Sequence, residues 1–520
     1  MTQKKHTISI LILLCALCIL AVLVMSRKKG FYIDEYYTYT LSNGTHLGIA
    51  IEDGAWNDTR PFEEELITTK EENFRFRQTC KNTADDVHPP VYYILLHALC
   101  SFFPGIFSKW FALSINLVCF LCCLFLLYKI SMLLSGNHTF SLLFLIVYAI
   151  NPSTLSGLVY LRMYFLLSAF ACAYVCLHLK MLKEDRIAPI YFLVLPVIGF
   201  LGFLTHYYML FVMFSFSLFY ALFLFFYRKK YLLTILYGCD IVASLVLSYF
   251  VWPVSIFHMF KGYRGKGAAE SLTNISGLPS RIAFFAKTIN EKVFSCLLPL
   301  ILIVLIALSV VYFKKNRSYK KETFVNRFFL FFPLAGTLLY LLLVSCTALK
   351  NSYSNRYMFP MECLLIFYIL FALWKTLHFF LRKENTRALL LPILFLCISA
   401  FGIYRKNVDY FYPEHTQIIS EIRNNGQNKA IVFQKGNYDS IIGDLTLFDQ
   451  VYFSGEEIKG EKTTADIEEF VTSSPEVLIY IENERNIDEI KDLLLKSFPS
   501  KKGIEEIGES GEFYSLYRFY

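Results

Sequence analysis

Along this 520-residue chain, runs of about 20 apolar residues recur, each long enough for a helix to cross the hydrocarbon of a bilayer. In that medium the backbone must satisfy its own hydrogen bonds, so a run of this kind is helical or part of a closed barrel, and runs this continuous are helical. They fall near 8–26, 109–128, 139–155, 163–180, 189–205, 207–227, 231–252, 292–313, 325–346, 358–380 and 388–404. A composition that is 56% hydrophobic and 17% aromatic agrees. The first run follows Lys4 and Lys5, lacks a small-x-small cleavage site and precedes Arg27-Lys28-Lys29, so it reads as a retained span. Val91–Phe103 is apolar for only 13 residues, a length typical of an interfacial helix.

Charge orients these spans. Residues 1–406 hold 39 Lys and Arg against 20 Asp and Glu, whereas 407–520 hold 11 against 22. With the N-terminus inside and Val91–Phe103 not crossing, nearly every dense basic cluster becomes cytoplasmic: Lys129, Lys180–Arg186, Arg228–Lys230, Lys314–Arg327 and Arg382–Arg387. Were the short stretch to cross, those clusters would move outside. The basic surplus is therefore loop lysine and arginine, and no nucleic-acid partner is expected. Arg27-Lys28-Lys29 is the one clear violation. Of 14 cysteines, 13 lie in or against apolar runs, which makes them small apolar side chains rather than a disulfide framework.

The expected fold is a polytopic α-helical membrane protein of about eleven spans with juxtamembrane helices, residues 1–404, followed by a small extracytoplasmic α/β domain, 405–520. The membrane module carries a first outer loop at 27–88, the interfacial helix at 91–103 and a second outer loop at 253–291. In the tail, helices are expected at His415–Asn424, Asp466–Thr472 and Ile487–Ser497. Strands are expected at Ala430–Gln434, Val451–Ser454, Val477–Ile481 and Phe513–Arg518.

The unusual polar residues sort onto the outer side. Asp34-Glu35 follows the first span inside FYIDEYYTY, and an acid pair there is costly to hold beside lipid. A second reading makes the pair a helix cap answering Lys28-Lys29. Asp86-Val-His88-Pro-Pro-Val-Tyr-Tyr93 opens the interfacial helix. Arg162 and Tyr164 follow the Asn151-Pro152 break; Thr205-His206-Tyr207-Tyr208 turns between two spans; Asn355-Arg356-Tyr357 begins another. His258, Lys261 and Arg264 lie in the second outer loop. Taken singly, Arg162 and Arg356 also read as snorkelling interface residues, and the histidines and tyrosines as an aromatic belt.

Taken together, these elements in this order resemble the GT-C membrane glycosyltransferases that use a polyprenyl-phosphate sugar. The bacterial branch related to protein O-mannosyltransferases, aminoarabinose transferases and Rgt-type lipopolysaccharide transferases is the nearer likeness. It covers about residues 1–404, with the His88-Pro-Pro and Arg162-Met-Tyr164 elements the most specific. The family often has a glutamate before Arg-x-Tyr, where Tyr160-Leu161 stand here. The resemblance implies a multi-pass bacterial plasma-membrane enzyme, inverting at the anomeric carbon. Its donor is a polyprenyl-phosphate sugar, and its acceptor a glycan, lipid or protein of the cell envelope. Asp34 takes the place of the family's first-loop acid as base, and Glu35 orients the acceptor or binds a divalent ion in members that use one. A guanidinium meets phosphate oxygens in a bidentate fork, which suits Arg162 and Arg356 to the donor phosphate, with His206 and His88 assisting. Asp86, Tyr164, Tyr207, Tyr357, His258 and Arg264 complete the candidates. A transporter of lipid-linked sugars and a non-enzymatic assembly protein are the competing classes; the first calls for ionisable residues near mid-membrane, and here only Asp240 and Glu362 lie within spans, near their ends.

Overall fold

A computed structural model describes residues 2–45, 49–184, 188–315, 324–349, 354–381, 383–455 and 460–520. The chain forms two compact units, one of Met1–Val24, Asp86–Tyr92 and Leu113–Asp409, the other of Met25–Asp85, Tyr93–Ala112 and Tyr410–Tyr520. The second unit thus takes in much of the first outer loop besides the tail.

Among the described residues, eight helices are long and apolar enough to cross a membrane: Lys5–Met25, Lys109–Ser135, Tyr164–Lys183, Met209–Tyr227, Tyr231–Val251, Phe324–Thr347, Asn355–Phe380 and Glu384–Tyr404. Two further runs are bent rather than straight. His138–Ala149 continues into Pro152–Val159 at 61°, and Ile275–Val293 meets Leu298–Val311 at 86°. The first bend has a local cause. Pro152 cannot extend the helix before it, and the Asn151 side chain caps the new one by accepting from the Ser153 N–H at 3.0 Å. At the second, Ser295 and Cys296 adopt left-handed φ values of 53° and 67°. The run expected to span at 189–205 is the 13-residue helix Tyr191–Phe203, short for a crossing.

The second outer loop is helical, against the looser expectation for 253–291: Ser255–Phe260, Tyr263–Thr273 and Leu278–Thr288 pack as helices. In Tyr263–Thr273, Gly265 and Gly267 hid the helix, because glycine is a poor helix former. Packing explains it. A Cβ on Gly265 would lie 2.3 Å from the Met259 carbonyl oxygen. The interfacial helix is Val91–Ser101, ending two residues before the expected Phe103, and its first N–H donates to the Leu204 carbonyl at 3.0 Å. The fourteen cysteines are free thiols.

The second unit is built on a six-stranded sheet: β1 (Ala55–Asp58), β2 (Lys429–Phe433), β3 (Gln450–Ser454), β4 (Val477–Glu482), β5 (Ile504–Ser510) and β6 (Tyr514–Phe519). Their order is β1-β3-β2-β4-β6-β5, with β2 parallel to β3 and β4 and the outer pairings antiparallel. Central β2 and β4 read as near-continuous apolar runs because helices cover the sheet, and Ile431, Ile479, Ile467, Ile490 and Leu494 form its core. Helices His415–Asn425 and Ile487–Ser497 lie where the tail's periodicity places them, whereas the helix expected at Asp466–Thr472 runs over Gly460–Ser473. Two edge strands went unforeseen. β1 comes from the first outer loop and is four residues long, and β5 is acidic and bulged around Gly508.

Close helix packing in the first unit turns on Gly336, where a Cβ would approach the buried Phe216 ring to 2.4 Å. Gly336→Val should therefore cost about 1–3 kcal/mol through overpacking, read as a lower unfolding temperature of the detergent-purified protein. Gly238→Ala, at a helical position with nothing within 4 Å, is the control and should not lose stability. Equal behaviour of the two variants would contradict the packing account.

Candidate active site

The acid pair belongs to the second unit. Asp34 and Glu35 occupy the first turn of the helix Ile33–Asn43, where the positive end of the helix favours carboxylates. Their environments differ sharply. Glu35 and Lys28 are both 0% exposed and form a salt bridge, with Lys28 Nζ 2.8 Å from Oε2 and 3.0 Å from Oε1. Glu35 Oε2 also accepts from the Tyr32 N–H at 2.7 Å, the reach-back half of a capping box. Lys28 donates again to the Tyr410 carbonyl at 2.8 Å and lies over the Phe31 and Tyr412 rings. Burial lowers the pKa of Lys28, with Glu35 acting against that shift.

Glu35 is thus the helix cap of the second reading, and Lys28 is an interior residue rather than a loop surface charge. Both Glu35 oxygens are engaged in this arrangement, by Lys28 and by the Tyr32 N–H. Among the described residues, no three His, Cys, Asp or Glu side chains converge to hold a metal ion. Asp34 is half-buried beside Tyr37, whose exposed hydroxyl donates to Asp439 Oδ2 at 3.1 Å.

The remaining candidates lie in the first unit, and most are drawn together there. His88 sits between Asp86 and Arg162. Its Nδ1 pairs with Asp86 Oδ2, and Arg162 Nη2 lies 3.1 Å from its Nε2. An arginine can only donate, so His88 Nε2 accepts and Nδ1 carries the proton toward Asp86. Burial alone would raise the Asp86 pKa, but His88, the Val87 N–H and Arg162 together hold it down at about 2. Pro89 and Pro90 fix the chain just beyond.

Arg356 is supported from another side. It stands in the turn Asn355–Met358 ahead of its span, 9% exposed, and Nη1 donates to the Tyr160 hydroxyl at 2.6 Å. The guanidinium lies 5.5–6.0 Å from the centres of the Tyr160, Tyr164 and Tyr357 rings. Asn355 next to it donates to Asp409 at 2.8 Å, and Lys292 pairs with the same carboxylate at 2.7 Å. The Asp409 N–H in turn reaches Ser156 Oγ at 3.0 Å. That strap after the last span steadies the turn that carries Arg356.

His206 joins the two groups. Its ring lies 5.2 Å from Tyr164 and 4.8 Å from Tyr208, and its Nδ1 accepts from the Tyr208 N–H at 3.0 Å. The remaining Nε2–H is a donor. Burial first, with the positive charges of Arg162 and Arg356 adding to it, pushes its pKa well below the usual value, so the ring is neutral. Arg264 is within electrostatic reach of Arg356 and Tyr357. Tyr207 and His258 pair at 2.8 Å, with the Trp252 N–H donating to the Tyr207 hydroxyl at 3.2 Å, and Tyr207 feels Asp86.

This is a partly buried cluster of Arg162, Arg264 and Arg356, with the Asp86 carboxylate behind His88 and tyrosines around it. Such an excess of fixed positive charge is suited to an anion, and the planar guanidiniums to phosphate oxygens. Tyr160, Tyr208, Trp252, Asp409 and Lys292 were not singled out from the sequence. The two tyrosines lie within segments that were, whereas nothing local marks Asp409 or Lys292.

No protein-family model matches the sequence, and no curated protein matches it. Among solved structures, ArnT from Cupriavidus metallidurans bound to undecaprenyl phosphate is similar over 98% of this chain and 97% of that one, at 9% identity and a TM-score of 0.51. The apo form of that ArnT is similar over 97% of each chain, at 11% identity and a TM-score of 0.46. Archaeal oligosaccharyltransferase AglB from Archaeoglobus fulgidus, in complex with an inhibitory peptide and a dolichol-phosphate, is similar over 96% of this chain and 74% of that one, at 9% identity and 0.46. The chain has the GT-C fold, a bundle of membrane helices with a small C-terminal sheet.

Two outcomes test the site's electrostatics. Removing one partner of a buried ion pair strands the other, so Lys28→Met or Glu35→Gln alone should cost about 3–5 kcal/mol. Lys28→Met combined with Glu35→Leu should recover most of it in thermal unfolding, and additive losses would contradict the pairing. A histidine with a depressed native pKa lets the unfolded chain take up the proton first, so stability falls as pH drops through about 6.5. Wild type should then lose more unfolding temperature between pH 7.5 and 5.5 than His206→Gln; identical slopes would contradict a neutral His206.

Proposed function

We propose that this protein is an integral membrane glycosyltransferase that moves a sugar from a polyprenyl-phosphate carrier to a hydroxyl of a cell-envelope glycan, lipid or protein on the extracytoplasmic face. The observation that carries this reading is the arginine cluster of buried Arg162 and Arg356 with half-buried Arg264, in which the Arg356 guanidinium is set among Tyr160, Tyr164 and Tyr357 at the ends of membrane helices. A GT-C fold similar to that of an ArnT bound to undecaprenyl phosphate supports it.

In this reading Arg162 and Arg356 hold the donor phosphate, and His206 offers its Nε2–H to one phosphate oxygen. Asp86, through His88, keeps Arg162 in place, and Tyr160 does the same for Arg356. Asp34 accepts the proton of the acceptor hydroxyl. The acceptor oxygen attacks the anomeric carbon from the face opposite the phosphate, the bond from that carbon to the phosphate oxygen breaks, and the electron pair leaves with the polyprenyl phosphate. Configuration inverts in one displacement. The guanidiniums stabilise the charge that grows on the phosphate as the bond breaks, so their effect is larger in the transition state than in the ground state. Glu35 takes no part in proton transfer and holds the helix that presents Asp34.

Radiolabelled sugar transfer from a polyprenyl-phosphate donor in membranes tests these roles. Asp34→Asn should abolish transfer at unchanged protein level and donor affinity; near-normal transfer would remove Asp34 as base. Arg162→Ala and Arg356→Ala should each weaken donor binding roughly 10- to 100-fold, the worth of one hydrogen bond to a charged group. Unchanged affinity in both would place the phosphate elsewhere.

A further inference from the structure

Phe74 has a backbone conformation that a bulky residue seldom adopts, with φ of 58°. Its N–H is held by Ser101 Oγ at 2.9 Å, and its ring turns outward, 44% exposed, edge-on to Phe102 at 5.2 Å and to Phe76 at 6.3 Å. Phe102, Phe103, Ile106 and Trp110 continue this apolar surface, exposed by 66%, 53%, 50% and 41%. A patch of this extent on a folded surface calls for an occupant.

The charge beside it has a definite arrangement. The helix Phe76–Asp85 turns Thr79, Asn82 and Thr83 inward, where Thr79 and Asn82 donate to the Ser42 and Gly44 carbonyls at 2.9 and 2.8 Å. Arg77 and Lys81, one helical turn apart, are left facing out. With Arg75 they line a groove that also holds Phe74 and Phe76, and whose one acid, Glu72, lies 3.8 Å from Arg75.

Chain continuity says what covers the patch. Phe102–Phe107 lead directly into the apolar span Lys109–Ser135, and Trp110 stands in its first turn. Aromatic side chains at the end of a span lie at the level where hydrocarbon gives way to headgroups. Bases one ring contact away therefore meet lipid phosphate.

We propose that Arg75, Arg77 and Lys81, with Phe74, Phe76 and Phe102, form a binding surface for anionic phospholipid headgroups on the outer leaflet. Basic residues near a bilayer surface gather anionic lipid, and the inserted rings keep them there. The surface is separate from the arginine cluster and does not depend on its proposed role.

The full-length protein with Phe76 replaced by the photo-crosslinker p-benzoylphenylalanine, in nanodiscs of phosphatidylcholine with a minority of phosphatidylglycerol, tests it. Among lipids cross-linked at that position, the phosphatidylglycerol fraction should exceed its bulk fraction several-fold. It should fall to the bulk fraction in the Arg75→Gln, Arg77→Gln, Lys81→Gln background and stay high when Arg75 and Arg77 become lysine. A wild-type fraction equal to bulk, or one unchanged by the triple replacement, would overturn the charge recognition. Cross-linking to protein with no lipid product would replace the bilayer with a protein partner.

Discussion

Taking a charge out of water costs several kcal/mol even after the surroundings relax, and this chain does it repeatedly. In each of the two units, buried charges are held by specific partners. Lys28 faces Glu35, Arg162 faces His88 backed by Asp86, and Arg356 faces the Tyr160 hydroxyl. Because a lost partner would strand the other charge, these pairs fix local geometry more firmly than apolar contacts of equal area. The turns and straps around them follow: Tyr410 is tied to Lys28, and Asp409 to Asn355 and Lys292.

That economy separates two kinds of polar residue. Lys28 and Glu35 cancel one another and leave no charge over for a ligand. In the arginine cluster, Asp86 reaches Arg162 through His88, and Arg264 and Arg356 stand within electrostatic reach of one another. His206 is kept neutral by its burial first, and the neighbouring arginines add to that. A site arranged so that bound anion completes its charge balance is what transfer from a lipid phosphate requires.

Much of this was legible from residues alone. Apolar run length marks the membrane helices because the bilayer leaves the backbone no alternative, and the motifs around His88, Arg162, His206 and Arg356 are short enough to be seen locally. The parts that were not legible depend on distant partners. Glu35 reads as an acid beside another acid until Tyr410, far along the chain, is seen closing over Lys28. β1 is four ordinary residues until β3 pairs with it. The Pro152 break was visible, but not that Asn151 also donates to the distant Val293 carbonyl at 2.7 Å. The helix Tyr263–Thr273 was hidden by glycines, of which Gly265 is required by close packing.

The central claim is that the arginine cluster serves a covalent transfer of sugar from a lipid phosphate. Membrane vesicles supplied with a radiolabelled polyprenyl-phosphate sugar measure it directly, with and without this protein. The account predicts label moving from the lipid donor into a covalent envelope product only when the protein is present, with polyprenyl phosphate released. Label that crosses the bilayer while still on its carrier, or no protein-dependent product at all, would contradict it.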